Sequence, residues 1–76
     1  RSRVWVFDNE PRNRQIVQRI KSAIDSKEQV VIWPKGISHK DMNDMFMAGL
    51  DPSAIIKSNT YHGLEAQIKF TDWKKV

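Results

Sequence analysis

Two pairs of acidic residues have the types and spacing that could bind a metal ion. In the first pair, Asp8 and Glu10 directly follow the apolar residues 4–7, and Pro11 comes next. In open α/β sheets, ligands collect just beyond the carboxyl ends of parallel strands. Carboxylates there suit Mg²⁺, which takes oxygen ligands. The alternative is ordinary turn chemistry, with Asp8 complementing the dipole of the following helix.

The second pair, Asp41 and Asp44, lies near the start of a predicted helix. The two carboxylates are three residues apart and therefore share one helix face, with Lys40 just before them. Several carboxylates at one sheet edge with a lysine nearby are what two-metal phosphoryl transfer requires. Like charges this close repel one another unless a cation neutralises them. The alternatives are a helix-capping role for Asp41 and a solvated position in the first helical turn for Asp44.

The spacing of apolar residues predicts the elements that position the acids. Residues 3–7 and 29–33 form continuous apolar strands, and residues 12–26 carry apolar side chains at helical spacing. Unbroken apolar strands belong to parallel sheets that are covered on both faces. The order strand, helix, strand therefore predicts an α/β fold built on a βαβ unit. A right-handed crossover places the loops 8–11 and 34–40 at the same edge of the sheet.

The second half of the chain is predicted to be helical, over about residues 39–48, 52–58 and 60–70. A capping box from Ser38 opens the first of these helices, and Asn59 or Thr60 caps the last. The end of the chain, residues 74–76, is expected to be frayed. The side chains expected in the core are Trp5, Ile16, Val17, Ile20, Ala23, Ile24, Trp33, Met42, Met45, Phe46, Met47, Leu50, Ile55, Ile56, Leu64, Ala66, Ile68, Phe70 and Trp73.

Composition limits the class of protein. The 76 residues carry a net charge of +4, which fits contact with a polyanion but equally serves solubility. Without cysteine the chain has no disulfide and no cysteine-ligated zinc site, and no apolar run approaches the ~18 residues of a membrane span. His39 and His62 lack metal-ligand spacing to another histidine. Residues 1–76 are expected to form one small domain or part of one.

Four stretches, VWVFDNEPRN, VVIWP, KDMNDM and NTYHGLEAQIKF with a final WKKV, carry a resemblance to a known family. Together they closely resemble the C-terminal half of the Toprim catalytic domain of T-even-type bacteriophage DNA primases. More distantly, the chain is similar to the primase half of phage primase-helicases. The resemblance covers essentially the whole chain, and FDNEPRN joined to KDMND at this spacing is a specific signal. It implies a partial Toprim fold, Rossmann-like, with parallel strands followed by two or three helices.

The resemblance also implies roles for individual residues. Mg²⁺ or Mn²⁺ would be the cofactor, and Asp8, Glu10 and Asp41 would be catalytic. Glu10 stands where the family has a second aspartate. The residues implied as metal ligands are Asp8, Glu10, Asp41 and Asp44. The residues implied in nucleotide or nucleic-acid binding are Arg12, Arg14, Lys40 and Asn43, although a solvated helix start is the alternative for the two arginines.

The function implied by the resemblance is part of a DNA primase, which makes RNA primers on single-stranded DNA from nucleoside triphosphates during phage DNA replication. The setting would be the cytoplasm of the infected bacterial host, with a replicative helicase as partner and no membrane. A Toprim site also needs an earlier strand with a glutamate followed by glycine, and family primases carry a cysteine-ligated zinc ribbon. This sequence shows neither feature, and we therefore expect a fragment of a primase that is inactive alone. A Toprim-type nuclease or topoisomerase fragment and a small non-enzymatic α/β module docking on a helicase stay open as alternatives.

Overall fold

A three-stranded mixed sheet lies at the centre of the fold. The computed structural model describes residues 3–76. Strand β1 (Val4–Trp5) pairs in parallel with β2 (Gln29–Val31), and β2 pairs antiparallel with β3 (Thr60–Tyr61). Strand β2 is thus the central strand. The parallel pairing confirms the predicted βαβ order, whereas the antiparallel strand was outside the prediction of a parallel sheet followed by helices.

Both parallel strands are shorter than the predicted residues 3–7 and 29–33. Beyond the ladder, side chains and loops link the extended segments. The indole Nε1 of Trp33 donates a hydrogen bond to the carbonyl of Phe7 at 2.8 Å. The N–H of Ile32 donates to the carbonyl of Asn59 at 3.0 Å. The bond from Trp33 joins the chain just beyond β2 to the chain just beyond β1, whereas the bond from Ile32 joins it to the segment before β3.

Residues 3–76 include four helices, and capping side chains set the starts of the first three. Their bounds are α1 (Arg14–Asp25), α2 (Met42–Met47), α3 (Pro52–Ser58) and α4 (Gly63–Trp73). Helix α1 begins two residues later than predicted because Asn13 is its N-cap, with Oδ1 accepting from the N–H groups of Gln15 and Ile16. Helix α2 begins after Asp41, not at residue 39, so Ser38 is not its cap. No helix within residues 3–76 is long and apolar enough to cross a membrane.

Asn59 and Thr60 close α3 and do not open the last helix as predicted. The Nδ2 of Asn59 donates to the carbonyl of Ile55 at 2.8 Å, and the Oγ1 of Thr60 donates to the carbonyl of Ile56 at 2.6 Å. These bonds satisfy carbonyls that a helix end leaves without partners. Helix α4 begins only at Gly63, whose φ of +62° favours glycine. Residues 60–61, predicted as helix, are strand.

The hydrophobic core lies between β2, α1 and α4, with Met45 contributed by α2. Its members are Ile20, Ala23, Ile24, Val30, Val31, Ile32, Trp33, Met45, Ala66, Phe70 and Trp73. The stripe predicted on α1 is confirmed. Phe7, Ile16, Val17, Leu50, Ile55 and Ile56 pack against this core while remaining partly exposed.

Several predicted core residues are exposed instead: Trp5, Met42, Phe46, Met47, Leu64 and Ile68. The prediction that the first strand is buried on both faces is also wrong, because Val4 and Val6 are exposed as well. Helix α2 has only six residues, and a single side chain from it, Met45, is fully buried. On α4 the buried residues Ala66, Phe70 and Trp73 follow one another at four- and three-residue steps and define its inner face. Leu64 and Ile68 each lie two residues before one of these buried positions, so their side chains are on the outer, exposed face of α4.

The end of the chain is tied to the loop after β1. The N–H of Lys75 donates to the carbonyl of Pro11 at 2.8 Å, and the N–H of Lys74 donates to the carbonyl of Phe70 at 2.9 Å. Trp73 packs into the core, as the sequence suggested. The expectation of a frayed end is therefore wrong for Lys74 and Lys75.

Replacing Trp33 with alanine is expected to lower the free energy of unfolding by about 3–5 kcal/mol, the range for large aromatic side chains in cores. Trp33 is 3% exposed, whereas Trp5 is 36% exposed, so Trp5→Ala removes the same ring from a more solvated position. Urea unfolding of both variants measures the difference. Equal losses would contradict the assignment of Trp33, and not Trp5, to the core.

Candidate acidic site at the edge of the sheet

The loops that follow β1 and β2 lie side by side, and Asn9 makes most of the link between them. Its backbone N–H donates to the carbonyl of Lys40. Its Nδ2 donates to the carbonyls of Ile37 and His39 at 2.8 and 3.0 Å, and its Oδ1 accepts from the indole of Trp73 at 3.0 Å. One amide thus holds the loop with the first acidic pair against the loop that carries Lys40, and both against α4.

Asn9 links the two loops of the candidate site, and sequence reasoning missed it because the pattern suggested only turn chemistry. Both hydrogens of its amide nitrogen are used, as a half-buried amide requires. The one sequence feature that could have indicated its importance is its position between Asp8 and Glu10. The partner Trp73 is 64 positions away in the chain, and no local pattern connects the two.

Glu10 and Lys40 form an ion pair across the two loops. The Nζ of Lys40 lies 3.1 Å from Oε2 of Glu10, while Asn13 Nδ2 donates to Oε1 at 2.8 Å. The hydrogen bond from Asn13, followed by that from Lys40, holds the pKa of Glu10 below its ordinary value. Glu10 raises the pKa of Lys40, and the charges of Asp8 and Asp41 add to this effect. Three carboxylates around one ammonium leave an excess of negative charge.

Asp41 and Asp44 have different surroundings, although the sequence placed them in one group. Asp41 is the N-cap of α2, with Oδ1 accepting from the N–H of Asp44 at 2.8 Å. The carboxylate of Asp41 is nevertheless close enough for its charge to act on Glu10 and Lys40. Asp44 is the third residue of α2, is exposed, and is not among the charges that act on that pair. Of these two acids, Asp41 is the one whose charge acts on Glu10 and Lys40.

The other predicted contact residues lie at the starts of helices. Arg12 precedes the cap of α1, Arg14 is its first residue, and Asn43 is the second residue of α2. All three side chains are exposed. They are accessible to a ligand, but exposure alone does not distinguish contact from solvation.

The carboxylates do not by themselves form a complete metal cage. Within residues 3–76, no three acidic, histidine or cysteine side chains are arranged to hold a metal ion. Both oxygens of Glu10 already have partners in Lys40 and Asn13, and one oxygen of Asp41 caps a helix. The metal roles of Asp8, Glu10, Asp41 and Asp44 stay predictions.

Comparison with known proteins adds a relative whose match includes both acidic loops. A DNA primase of Enterobacteria phage T4 is 37% identical over 79 aligned residues, which cover 97% of this chain. The chain is similar to a phage DNA primase. It spans only 23% of the length of that primase. No protein-family model matches the chain.

Replacing Glu10 with glutamine is expected to remove a pH-dependent contribution to stability. Because the pKa of Glu10 is lowered in the folded protein, its carboxylate stabilises the fold above its ordinary value of 4.5, and this stabilisation is lost as the pH falls through the lower folded value. Lys40, with a raised pKa, loses its charge only as the pH rises above 10.5. Urea unfolding at about pH 7 and about pH 3 should therefore show a smaller difference between the wild type and Glu10→Gln at the lower pH.

Glu65→Gln is the matched control for that experiment, because Glu65 is an exposed acid in the first turn of α4. The difference in unfolding free energy between Glu65→Gln and the wild type should change less with pH than the difference for Glu10→Gln. A Glu10→Gln difference that is equal at both pH values would contradict the stabilising ion pair.

Replacing Asn9 with aspartate is expected to cost about 2–4 kcal/mol of unfolding free energy, since a carboxylate oxygen would face two backbone carbonyls and lose their hydrogen bonds. Asn43→Asp makes the same chemical change at an exposed position and should shift stability by no more than about 0.5 kcal/mol. Urea midpoints at neutral pH compare the two. If both variants match the wild type, Asn9 does not hold the loops together.

Proposed function

We propose that this chain is part of a DNA primase of the phage type, and that its acidic loops take part in nucleotidyl transfer on single-stranded DNA. The observation that carries the proposal is the 37% identity to the T4 primase over a region that includes both loops. The fold supports it, because Asn9 brings the two loops together at the carboxyl ends of parallel strands. In this proposal β1, α1 and β2 belong to the C-terminal half of a Toprim domain.

The proposed cofactor is Mg²⁺, or Mn²⁺, and the acids fit it in part. Mg²⁺ usually keeps several waters and is bound by one or two carboxylates together with substrate phosphates, so a full protein cage is not needed. When bound, the ion would supply charge neutralisation for a hydroxyl that attacks a phosphate and for the leaving pyrophosphate. Asp8, Glu10 and Asp41 would hold it, with Asp44 further out on α2.

The cationic and amide side chains would serve the nucleotide. Lys40 neutralises Glu10 in this structure and is positioned to neutralise a phosphate oxygen instead. Asn43 would support the same loop. Arg12 and Arg14, exposed at the start of α1, would contact phosphates of the nucleotide or template.

The substrates would be nucleoside triphosphates and single-stranded DNA, and the partner a replicative helicase, in the cytoplasm of the infected host. We propose as well that the 76 residues alone do not synthesise primers, since they correspond to only 23% of the length of the T4 primase.

One observation favours a non-enzymatic docking role as the second candidate. Phe46 and Met47 on α2 are 68% and 77% exposed, which leaves large apolar side chains free to contact another protein. A Mg²⁺ titration separates the two candidates. The primase proposal expects resonances of Asp8, Glu10 and Asp41 to shift together, whereas the docking role predicts scattered changes over the surface.

Asp8→Ala in the full-length protein that carries this chain is expected to reduce primer synthesis about a hundredfold or more, as removal of one charge-stabilising group does in other enzymes. The fold should be little affected, because Asp8 is exposed and its loss relieves repulsion without opening a cavity. Primer length and yield on single-stranded DNA with Mg²⁺ measure the effect. Asp25→Ala, an exposed acid at the end of α1, is the control. Retained activity in Asp8→Ala would refute the metal role of Asp8.

A further inference from the structure

The C-terminal end of the chain lies beside the first acidic loop. Trp73 donates to Asn9, and two residues later the N–H of Lys75 donates to the carbonyl of Pro11 at 2.8 Å. These two bonds fix the backbone of Lys75 next to residues 9–11. Its side chain therefore starts from a defined position at the site.

A groove of about 480 Å³ runs between this end of the chain and the start of α1. Its lining residues are Glu10, Pro11, Arg12, Asn13 and Lys75. The volume falls in the range of small-molecule sites, roughly 300–1,000 Å³. The Pro11 ring gives the groove an apolar surface between its charged side chains. Because the groove is shallow and open to solvent, a phosphate group can reach its side chains directly.

The charges of the groove are not balanced. Its single carboxylate, that of Glu10, is already engaged by Lys40 and Asn13. Arg12 and Lys75 form no ion pair with any carboxylate in the part of the chain that the structure describes, residues 3–76. Two cations without acidic partners in the lining of one groove favour an anionic ligand.

We propose that the groove between Arg12 and Lys75 is a phosphate-binding subsite. It takes a phosphate of a nucleoside triphosphate or of a single-stranded nucleic acid. A guanidinium group offers paired donors that match two phosphate oxygens, and a lysine adds a compact positive charge. The inference deepens the proposed function and rests on it for the nucleotide identity of the ligand. Phosphate binding itself needs no catalysis.

The test is binding of two probes by the 76-residue chain without divalent cations. Fluorescein-labelled oligothymidylate is followed by anisotropy, and ATP by NMR titration. Arg12→Gln and Lys75→Gln should each weaken binding about three- to tenfold, and the dependence of log Kd on log salt should fall by about 0.7 for each phosphate of the strand that is no longer neutralised. Lys57→Gln, an exposed lysine at the end of α3, removes the same charge away from the groove.

The outcomes separate the two ligand sources. Weaker binding of oligothymidylate alone assigns the subsite to the strand, weaker binding of ATP alone assigns it to the triphosphate, and weaker binding of both assigns it to their shared phosphate chemistry. Effects no larger than those of Lys57→Gln for either probe overturn the subsite. Thermal unfolding confirms that the variants fold, since the substitutions leave the backbone bond of Lys75 intact.

Failure of the primase proposal would look different. Groove-dependent binding in a full-length protein that makes no primers would overturn the primase function and leave the subsite standing. Primer synthesis by a protein whose binding is insensitive to Arg12 and Lys75 would overturn the subsite alone.

Discussion

The arrangement of the acidic site depends on the side-chain amide of Asn9. The parallel ladder between β1 and β2 has only two residue pairs, Val4 with Gln29 and Trp5 with Val30, which is too little to fix the loops that follow. Beyond the ladder, the Asn9 amide donates hydrogen bonds to the loop that follows β2, and the Trp33 indole donates one to the carbonyl of Phe7. Because hydrogen bonds are directional, these bonds set the orientation of the loops as well as their distance.

This constraint has an electrostatic consequence. It holds Glu10 within 3.1 Å of Lys40, whose pKa is raised first by Glu10 and then by the charges of Asp8 and Asp41. In the groove that Glu10 also lines, Arg12 and Lys75 supply positive charge without acidic partners within residues 3–76. Phosphoryl transfer uses carboxylates that bind a metal cation together with positively charged side chains that bind a phosphate. The presence of both kinds of side chain here supports the proposed function.

The sequence predicts the parts of the fold that repeat a local pattern. The α1 stripe and the β1–α1–β2 order follow from apolar spacing, and the meeting of the two loops follows from the right-handed crossover of such a unit. Strand β3 has two residues, too few for an alternating pattern to show. In the six-residue α2, apolar residues at 42, 45, 46 and 47 mark no single face, so the pattern could not select Met45. The hydrogen bonds of Asn9 with Trp73 and of Lys75 with Pro11 join distant parts of the chain and depend on the completed fold.

Asp41 shows why a capping pattern does not exclude a role in the site. The sequence presents helix capping and ion binding as alternatives, because each uses an acidic side chain near a helix start. In the structure one oxygen, Oδ1, accepts the N–H of Asp44, while the negative charge of the same group still acts on Glu10 and Lys40. A carboxylate has two acceptor oxygens, so one can fix the helix and the other can face a ligand. The cap then orients the acid, and both roles fit in one side chain.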